Sequence, residues 1–202
     1  MMRYTNRVVL ITGAGQGLGR AMAHRFADVS DPEQVDSWVA EALFEFGRID
    51  VLVNNAGAIR DNRLERMTDD ERDAVLNVSL RGMFNCSRAV FPVMKRQEYG
   101  RLLSFSSMCW RGDFGQVNYS AAKAGVVGMA RAIAPGLIAT PMLASMGERA
   151  RAKRAARVPA GHIGGPEDIA EAAAFRCSEA AGYVTGVVLD VDGGIGIGGA
   201  LR

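Results

Sequence analysis

A tyrosine and a lysine stand four residues apart in the run VNYSAAKAG, at Tyr119 and Lys123. On a helix, this spacing places both side chains on one face, with their Cβ atoms roughly 5–6 Å apart. A lysine ammonium favours the phenolate, so it would lower the tyrosine pKa from about 10 toward neutrality. A tyrosine tuned in this way can exchange a proton with a substrate oxygen. The alternative is an exposed helical pair that contributes only a few tenths of a kcal/mol.

A glycine-rich loop, TGAGQGLG at residues 12–19, follows the apolar run RVVLIT and precedes a predicted helix. Gly13 allows a tight turn, Gly17 lets the backbone approach a pyrophosphate, and Gly19 lets helix and strand pack closely. Free N–H groups and the helix dipole would then face the phosphates. A dinucleotide site beside a tyrosine–lysine pair predicts carbonyl reduction or alcohol oxidation. The alternative is a glycine-rich turn that binds no ligand.

The tetrapeptide Asn54–Gly57 (NNAG) ends another predicted strand. Ligands of open α/β sheets bind at the carboxyl ends of the strands, so these amides lie where a cofactor cleft is expected. They could steady neighbouring strands or line the cleft. A plain turn of the Asn-Gly type is the alternative.

Taken together, TGAGQGLG, NNAG, YSAAK and a serine thirteen residues before the tyrosine resemble the short-chain dehydrogenase/reductase family. The resemblance extends from Arg7 to Gly194, and the stretch 100–125 is most similar to the 3-oxoacyl-acyl-carrier-protein reductase branch. It implies a single NAD(P)-binding Rossmann domain over residues 1–202, with a doubly wound parallel sheet and a substrate flap at about 140–165. It also implies a homotetramer in which hydride passes between nicotinamide and a small-molecule carbonyl or secondary alcohol, including a 3-oxoacyl thioester.

The family's functional residues carry over to this chain by resemblance. Tyr119 is implied to be the catalytic acid/base, Lys123 its partner on the ribose hydroxyls, and Ser106, rather than Ser107, the group that binds the substrate oxygen. Asn77 is similar to the asparagine that holds a relay water; the alternative is a helix residue that faces solvent. The implied cofactor contacts are Gly13, Gln16, Gly17, Leu18, Gly19, Asp28, Val29, Asn55, Ala56, Gly57, Tyr119, Lys123, Pro135, Gly136, Ile138 and Thr140. Within this set, 28–29 would lie against the adenine and 135–140 against the nicotinamide carboxamide.

Hydrophobic patterns predict the elements that must position these residues. Strands are predicted over 7–12, 49–54, 101–106 and 184–191. Helices are predicted over 17–27, 31–46, 69–94, 119–133 and 166–178. Their alternation predicts a parallel sheet covered by helices on both faces.

Two segments that the family resemblance implies are missing from the sequence. A strand, a helix and a strand are expected between residues 27 and 28, and a helix end and a strand between MARA and the APG loop. Either the protein carries segments that this sequence omits, or the chain lacks them and has new sheet edges. We favour the first explanation, which predicts Cα separations well above ~3.8 Å at Ala27/Asp28 and near Ile133/Ala134.

The choice between NAD and NADP depends on an acidic residue about 20 positions past the glycine loop. Asp28 lies only nine residues past Gly19, so the selecting position falls in the first missing segment. Gln16 brings no positive charge for a 2′-phosphate, which favours NAD.

Composition excludes several other classes of protein. The net charge of +2 does not favour nucleic acid, and the apolar runs fall well short of the ~20 residues of a membrane span. Three cysteines without a CxxC pair indicate a reducing, cytoplasmic setting. Two histidines give little support for a metal site.

Several alternatives remain open at this point. The chain could be a catalytically silent family member that binds a dinucleotide, and its substrate is not determined. Cys109 and Trp110 could line a pocket or only pack. The basic stretch 148–158 could bind an acidic partner, although we favour a solvated helix of the flap.

Overall fold

Five short parallel strands form the centre of the part of the chain that the structure describes. The computed structural model describes residues 7–13, 28–130 and 132–198. The strands are β1 (Val9–Ile11), β2 (Val51–Asn54), β3 (Arg101–Ser104), β4 (Ile133–Pro135) and β5 (Leu189–Val191). The first three pair in the order β1-β2-β3, β4 pairs with β5, and a parallel bridge from Phe105 to Ile133 joins the two groups. The predicted α/β parallel sheet is confirmed.

Helices connect the strands, as the alternation predicts. In the described ranges they are α1 (Pro32–Phe46), α2 (Asp69–Leu76), α3 (Gly82–Arg96), α4 (Val117–Ala130), α5 (Pro141–Ala144), α6 (Glu148–Ala155), α7 (Pro166–Cys177) and α8 (Ile195–Gly198). A π-helical turn at Asn77–Arg81 joins α2 to α3, so the helix predicted over 69–94 contains one widened turn. The helix predicted over 17–27 lies outside the described residues.

Local signals explain where the first described helix begins and ends. The Asp31 carboxylate accepts hydrogen bonds from two N–H groups of the first turn of α1, and Pro32 occupies the first helical position. Gly47 ends the helix with φ 70°, a conformation that glycine adopts without strain. The inner face is buried at Val35, Val39 and Ala42, whereas Phe46, the last residue of the helix, is 53% exposed.

Successive strand residues point to opposite faces of the sheet and pack in two separate apolar clusters. Leu10 and Leu52 pack with residues of α1 and α3. Ile11 and Val53 point the other way and pack with Ile169 of α7. Alternating side chains that are buried on both faces are typical of a doubly wound sheet.

The prediction that no strand follows α4 is wrong. Ile133 and Ala134 are consecutive members of β4 and pair with Leu189 and Asp190 of β5, so no break separates them. The strand has only three residues and is stabilised by a partner far along the chain. A local apolar run was therefore not available to predict it. Of the other predicted strands, that over 184–191 is confined to its last three residues.

The first missing segment does correspond to a real feature of the described fold. From Asp28 the chain passes directly to the Asp31 cap of α1, with no strand between them. Among the described strands, β1 pairs only with β2 and so lies at the edge of the sheet. Ala27 lies outside the described residues, so the Cα separation predicted there is untested. None of the described helices is long and apolar enough to cross a bilayer.

Candidate active site

Tyr119 and Lys123 occupy the first two turns of α4, which packs against α2 and the turn Met108–Arg111. Both side chains are buried, with 8% and 4% of their surfaces exposed. Tyr119 packs in an apolar cluster with Val75, Cys109 and Ala122. An exposed helical pair is therefore excluded.

The electrostatics of this pair differ from the expectation. Burial raises the pKa of Tyr119 to about 12, and a hydrogen bond from Ser107 opposes that rise only in part. Burial also lowers the pKa of Lys123 to about 8. The Lys123 ammonium donates to the Phe105 carbonyl oxygen at 2.7 Å and lies 5.5 Å from the centre of the Tyr119 ring. The prediction that lysine brings the phenol pKa toward neutrality is wrong for this structure, because desolvation dominates both groups.

The two neighbouring serines after β3 have different surroundings. The Ser106 hydroxyl donates to the Lys123 carbonyl oxygen at 2.9 Å and is buried, which ties the sheet to α4. The Ser107 side chain instead contacts the Tyr119 hydroxyl and also accepts from the Cys109 N–H at 3.3 Å. The structure thus brings Ser107, and not the predicted Ser106, to the tyrosine. Alternation along RLLSFSS places these two serines on opposite faces, a signal that spacing alone overlooked.

Asn77 begins the π-helical turn between α2 and α3. Its carbonyl oxygen accepts from the Gly82 N–H, five residues on, and its own side chain is half-buried. Single π turns within α-helices occur often at functional sites. A fully solvent-facing side chain, the alternative for this residue, does not match its half-buried position.

The NNAG amides hold strands together. The Asn54 amide donates to Ser87 at 3.1 Å and to Ser104 at 3.4 Å, which links β2 to α3 and β3. Asn55 donates to the carbonyl oxygen of Thr12, and the Thr12 hydroxyl accepts from the N–H of Asn55 at 3.0 Å. Of the two roles considered for the amides, these contacts match the steadying of neighbouring strands. Thr12, to which the sequence motifs do not point, makes the hydrogen bonds that join the end of β1 to the end of β2.

The described residues fit the part of a dinucleotide that lies beside Tyr119. A Cβ at Gly13, where φ is 66°, would lie 2.7 Å from the Ala56 Cα, so β1 and β2 meet too closely for a side chain. A Cβ at Gly57 would lie 3.6 Å from the Lys123 ammonium nitrogen, an ordinary contact distance, so the Gly57 backbone lies directly beside the buried ammonium. An ammonium has three donors, and the hydrogen bond to Phe105 uses one of them, so a ribose hydroxyl fits beside it. The predicted contacts Gln16, Gly17, Leu18 and Gly19 lie outside the described residues.

Asp28 and Val29, which were predicted to lie against the adenine, make hydrogen bonds and packing contacts within the protein. The Asp28 carboxylate accepts from the N–H and hydroxyl of Ser30. Val29 is buried against α3, where a Cβ at Gly82 would lie 2.4 Å from its methyl group, and its carbonyl oxygen accepts from Asn85 at 3.0 Å. In the described residues this pair supports the packing of α3.

The loop after β4 carries the predicted contacts Pro135, Gly136, Ile138 and Thr140. Ile138 is buried and bridges to Gly164 at the end of the flap, and Gly136 donates to the Val191 carbonyl oxygen. A cavity of about 270 Å³ opens here, between the loop, the flap and the end of β5. It is lined by Ile138 and Asp192, among others, and not by Tyr119. The buried pair of Tyr119 and Lys123 therefore lies outside this cavity.

Comparison with known proteins gives one consistent family. A family model described as "Enoyl-(Acyl carrier protein) reductase" matches residues 14–196. The 3-oxoacyl-[acyl-carrier-protein] reductase FabG of Thermotoga maritima is 37% identical over 244 positions, covering 96% of this chain and 99% of that protein. The (2S)-[(R)-hydroxy(phenyl)methyl]succinyl-CoA dehydrogenase subunit BbsD of Thauera aromatica is 36% identical, covering 96% and 98%. The solved structure of levodione reductase superposes with a TM-score of 0.92 at 33% identity, covering 99% of this chain and 100% of that one.

The parallel sheet and the buried tyrosine–lysine pair, with these relatives, define a Rossmann-type NAD(P)-dependent oxidoreductase. The chain belongs to the short-chain dehydrogenase/reductase family, on the side of its 3-oxoacyl-acyl-carrier-protein reductases. The alignment with the Thermotoga protein spans 244 positions whereas this chain has 202 residues, so at least 42 positions of the relative have no counterpart here. This agrees with missing internal segments.

Proposed function

We propose that this enzyme reduces the carbonyl of a 3-oxoacyl thioester to a secondary alcohol. The proposal is supported by the 3-oxoacyl-acyl-carrier-protein reductases among its relatives and, at similar identity, by a dehydrogenase subunit named for a hydroxyl-bearing acyl-CoA thioester. The observation that carries it is the burial of Tyr119 and Lys123 beside Ser107, at the carboxyl edge of the sheet.

The protonation states favour the reductive direction. Because the pKa of Tyr119 is about 12, the phenol is neutral at physiological pH and can donate its proton to the carbonyl oxygen as that oxygen gains charge. Ser107, within reach of the Tyr119 hydroxyl, would donate a second hydrogen bond to the same oxygen. Lys123 would then return a proton toward the tyrosine, with Asn77 holding a relay water.

A bound nicotinamide dinucleotide supplies the hydride for the carbonyl carbon. Lys123 and Tyr119 would hold its ribose, backbone at Gly13, Asn55, Ala56 and Gly57 would border it, and residues 135–140 would hold the carboxamide. We propose NAD rather than NADP, because Gln16 brings no positive charge to the glycine-rich loop for a 2′-phosphate. Comparing the affinities of NADH and NADPH by nicotinamide fluorescence tests this preference, and tighter binding of NADPH would reverse it.

We also propose that the chain is a single domain that assembles as a homotetramer in the cytoplasm. The outer surface of α3 supports assembly, because Phe84 and Phe91, seven residues apart on one helical face, are 47% and 59% exposed. Light scattering of the purified protein tests this, with Phe91→Asp as the disruptive variant. A monomeric wild-type protein would contradict it.

Replacing Tyr119 by Phe tests the catalytic assignment. It removes the proton donor and leaves the ring packing, so reduction of acetoacetyl-coenzyme A should fall by about 10²–10⁴-fold. Binding of NADH, followed by fluorescence, should persist. Turnover within about tenfold of wild type would refute the role of Tyr119, and wild-type protein that binds NADH without turning over any thioester would favour a silent member.

A pair of serine variants tests which hydroxyl orients the substrate. Ser107→Ala should lower kcat by about 10²-fold, the effect of losing one donor to a developing oxyanion. Ser106→Ala should mainly lower the free energy of unfolding by about 1 kcal/mol, because it removes a buried hydrogen bond to α4. The opposite order of kcat losses would return the role to Ser106.

A further inference from the structure

The flap helix α6 is held to the body of the protein with little apolar contact. None of its residues is buried, whereas Leu143 before it and Val158 after it are buried anchors. Between these anchors, Arg154 turns inward and forms an ion pair of 3.0 Å with Asp113, at 34% and 27% side-chain exposure. Neighbouring Arg149 is exposed to solvent on the same helix.

Asp113 also belongs to the segment that builds the tyrosine pocket. The same carboxylate oxygen that meets Arg154 accepts a hydrogen bond from the Cys109 thiol at 3.7 Å. The other oxygen accepts from the Phe114 N–H at 2.9 Å, which fixes the carboxylate in place. Cys109 packs on Tyr119 and donates its N–H to Ser107. One carboxylate therefore connects the flap helix to the residues beside Tyr119.

We propose that Asp113 is a positioning residue that, through Arg154, holds the flap helix against the turn that carries Cys109, beside Tyr119. The ion pair is only partly exposed, so it is screened less than a surface pair, yet it remains weak enough to open. Its opening lets α6 move away and gives solvent access to Cys109. The role in substrate turnover rests on the proposed function, but the closure itself does not.

The alkylation rate of Cys109 measures opening without any need for activity. The protein is treated with N-ethylmaleimide, and each cysteine is followed by peptide mass spectrometry. Cys86 and Cys177 are also buried and free, so they serve as internal reporters of general loosening. Arg154→Gln should raise the rate at Cys109 by about two- to fivefold, the range expected for losing such a pair.

Because of its effect on the Cys109 thiol, Arg154→Gln is a sharper test than a variant that removes the Asp113 charge. The Arg154 charge lowers the pKa of the Cys109 thiol, so its loss alone would slow alkylation, opposite to the effect of opening. Loss of the Asp113 charge would instead make the thiol more reactive, which mimics opening. A faster reaction in Arg154→Gln therefore reports access and not thiol chemistry.

Matched variants complete the test. Arg149→Gln removes one positive charge from the same helix and should leave the Cys109 rate unchanged. Arg154→Lys keeps the positive charge and should keep the slow rate. The proposal is overturned if Arg154→Gln does not accelerate Cys109, if all three cysteines accelerate together, or if Arg154→Lys is as fast as Arg154→Gln. In the active enzyme, Arg154→Gln should raise KM more than it lowers kcat. An unchanged KM with a lower kcat would also count against closure.

Discussion

The buried ammonium of Lys123 should make stability depend on pH in a way that can be isolated. Its pKa falls from 10.5 to about 8 because burial penalises the charged form. Between these two values the unfolded chain holds more protons than the folded one, so the free energy of unfolding rises with pH. At about 1.4 kcal/mol per pKa unit, the full rise is about 3 kcal/mol, most of it reached by about pH 10. The side chain is almost fully buried, so screening by water reduces this little.

Lys123→Met removes this pH-dependent contribution to the free energy of unfolding, because it keeps the approximate length of the side chain and loses the charge. It leaves the Phe105 carbonyl oxygen without its partner, which changes the stability by a constant amount rather than with pH. Burial raises the pKa values of Tyr119 and Cys86, so those groups lower stability as the pH rises above their unfolded values. They are present in both proteins and cancel in the difference.

Urea denaturation of both proteins between about pH 7 and about pH 10 measures this difference. The wild type should gain about 2–3 kcal/mol relative to Lys123→Met across the range. Lys95→Met, at an exposed position near the end of α3, controls for the loss of one positive charge and should track the wild type. Curves for Lys123→Met and wild type that stay parallel within about 0.5 kcal/mol would refute the depressed lysine pKa.

Two further predictions concern stability. Gly82→Ala should lower the free energy of unfolding by about 1–3 kcal/mol in urea, because the new Cβ would lie 2.4 Å from a Val29 methyl group; the control Gly128→Ala, with open space around its Cβ, should be neutral or stabilising, and equal effects would contradict the packing. Asp50→Asn should cost about 3–5 kcal/mol, because the fully buried carboxylate accepts from Arg48 at 2.6 Å and 2.8 Å and from two other donors. A loss below about 1 kcal/mol in thermal or urea unfolding would show that this ion-pair network contributes little.

Sequence patterns predicted the parts of the fold that local signals encode. The apolar runs of β1 and β2 are continuous, as expected for strands covered on both faces of the sheet, so they stand out from their surroundings. Caps are equally local: the Thr68 and Glu71 side chains form a capping box at the start of α2. By contrast, β4 has three residues and depends on pairing with β5, more than fifty residues later. Nothing near Ile133 in the sequence reports that partner.

The sequence predicted which residue types form the candidate site, but it did not predict their burial or their pKa values. Tyr119 and Lys123 were located from spacing, but their burial comes from α2 and the turn after β3, which set the pKa values. The sequence favours Ser106, whereas the structure turns the Ser106 hydroxyl to the Lys123 carbonyl oxygen and brings Ser107 to Tyr119, because neighbouring residues of extended chain point in opposite directions. Counting back thirteen residues assumes a fixed turn length, and the turn between β3 and α4 decides which serine reaches the tyrosine.

The segment missing after residue 27 affects one side of the sheet more than the other. In a Rossmann fold the dinucleotide lies across the strands on both sides of the first one, and a residue after the second strand binds the adenosine ribose. Here the described chain leads from Asp28 straight into α1, and Val29 is used to pack α3. The half that carries Tyr119 is instead complete in its contacts, because Thr12 fixes β1 to β2 and Lys123 is fixed to β3. The packing of Tyr119 and Lys123 therefore depends on strands and helices that the described residues contain, and not on the segment missing after residue 27.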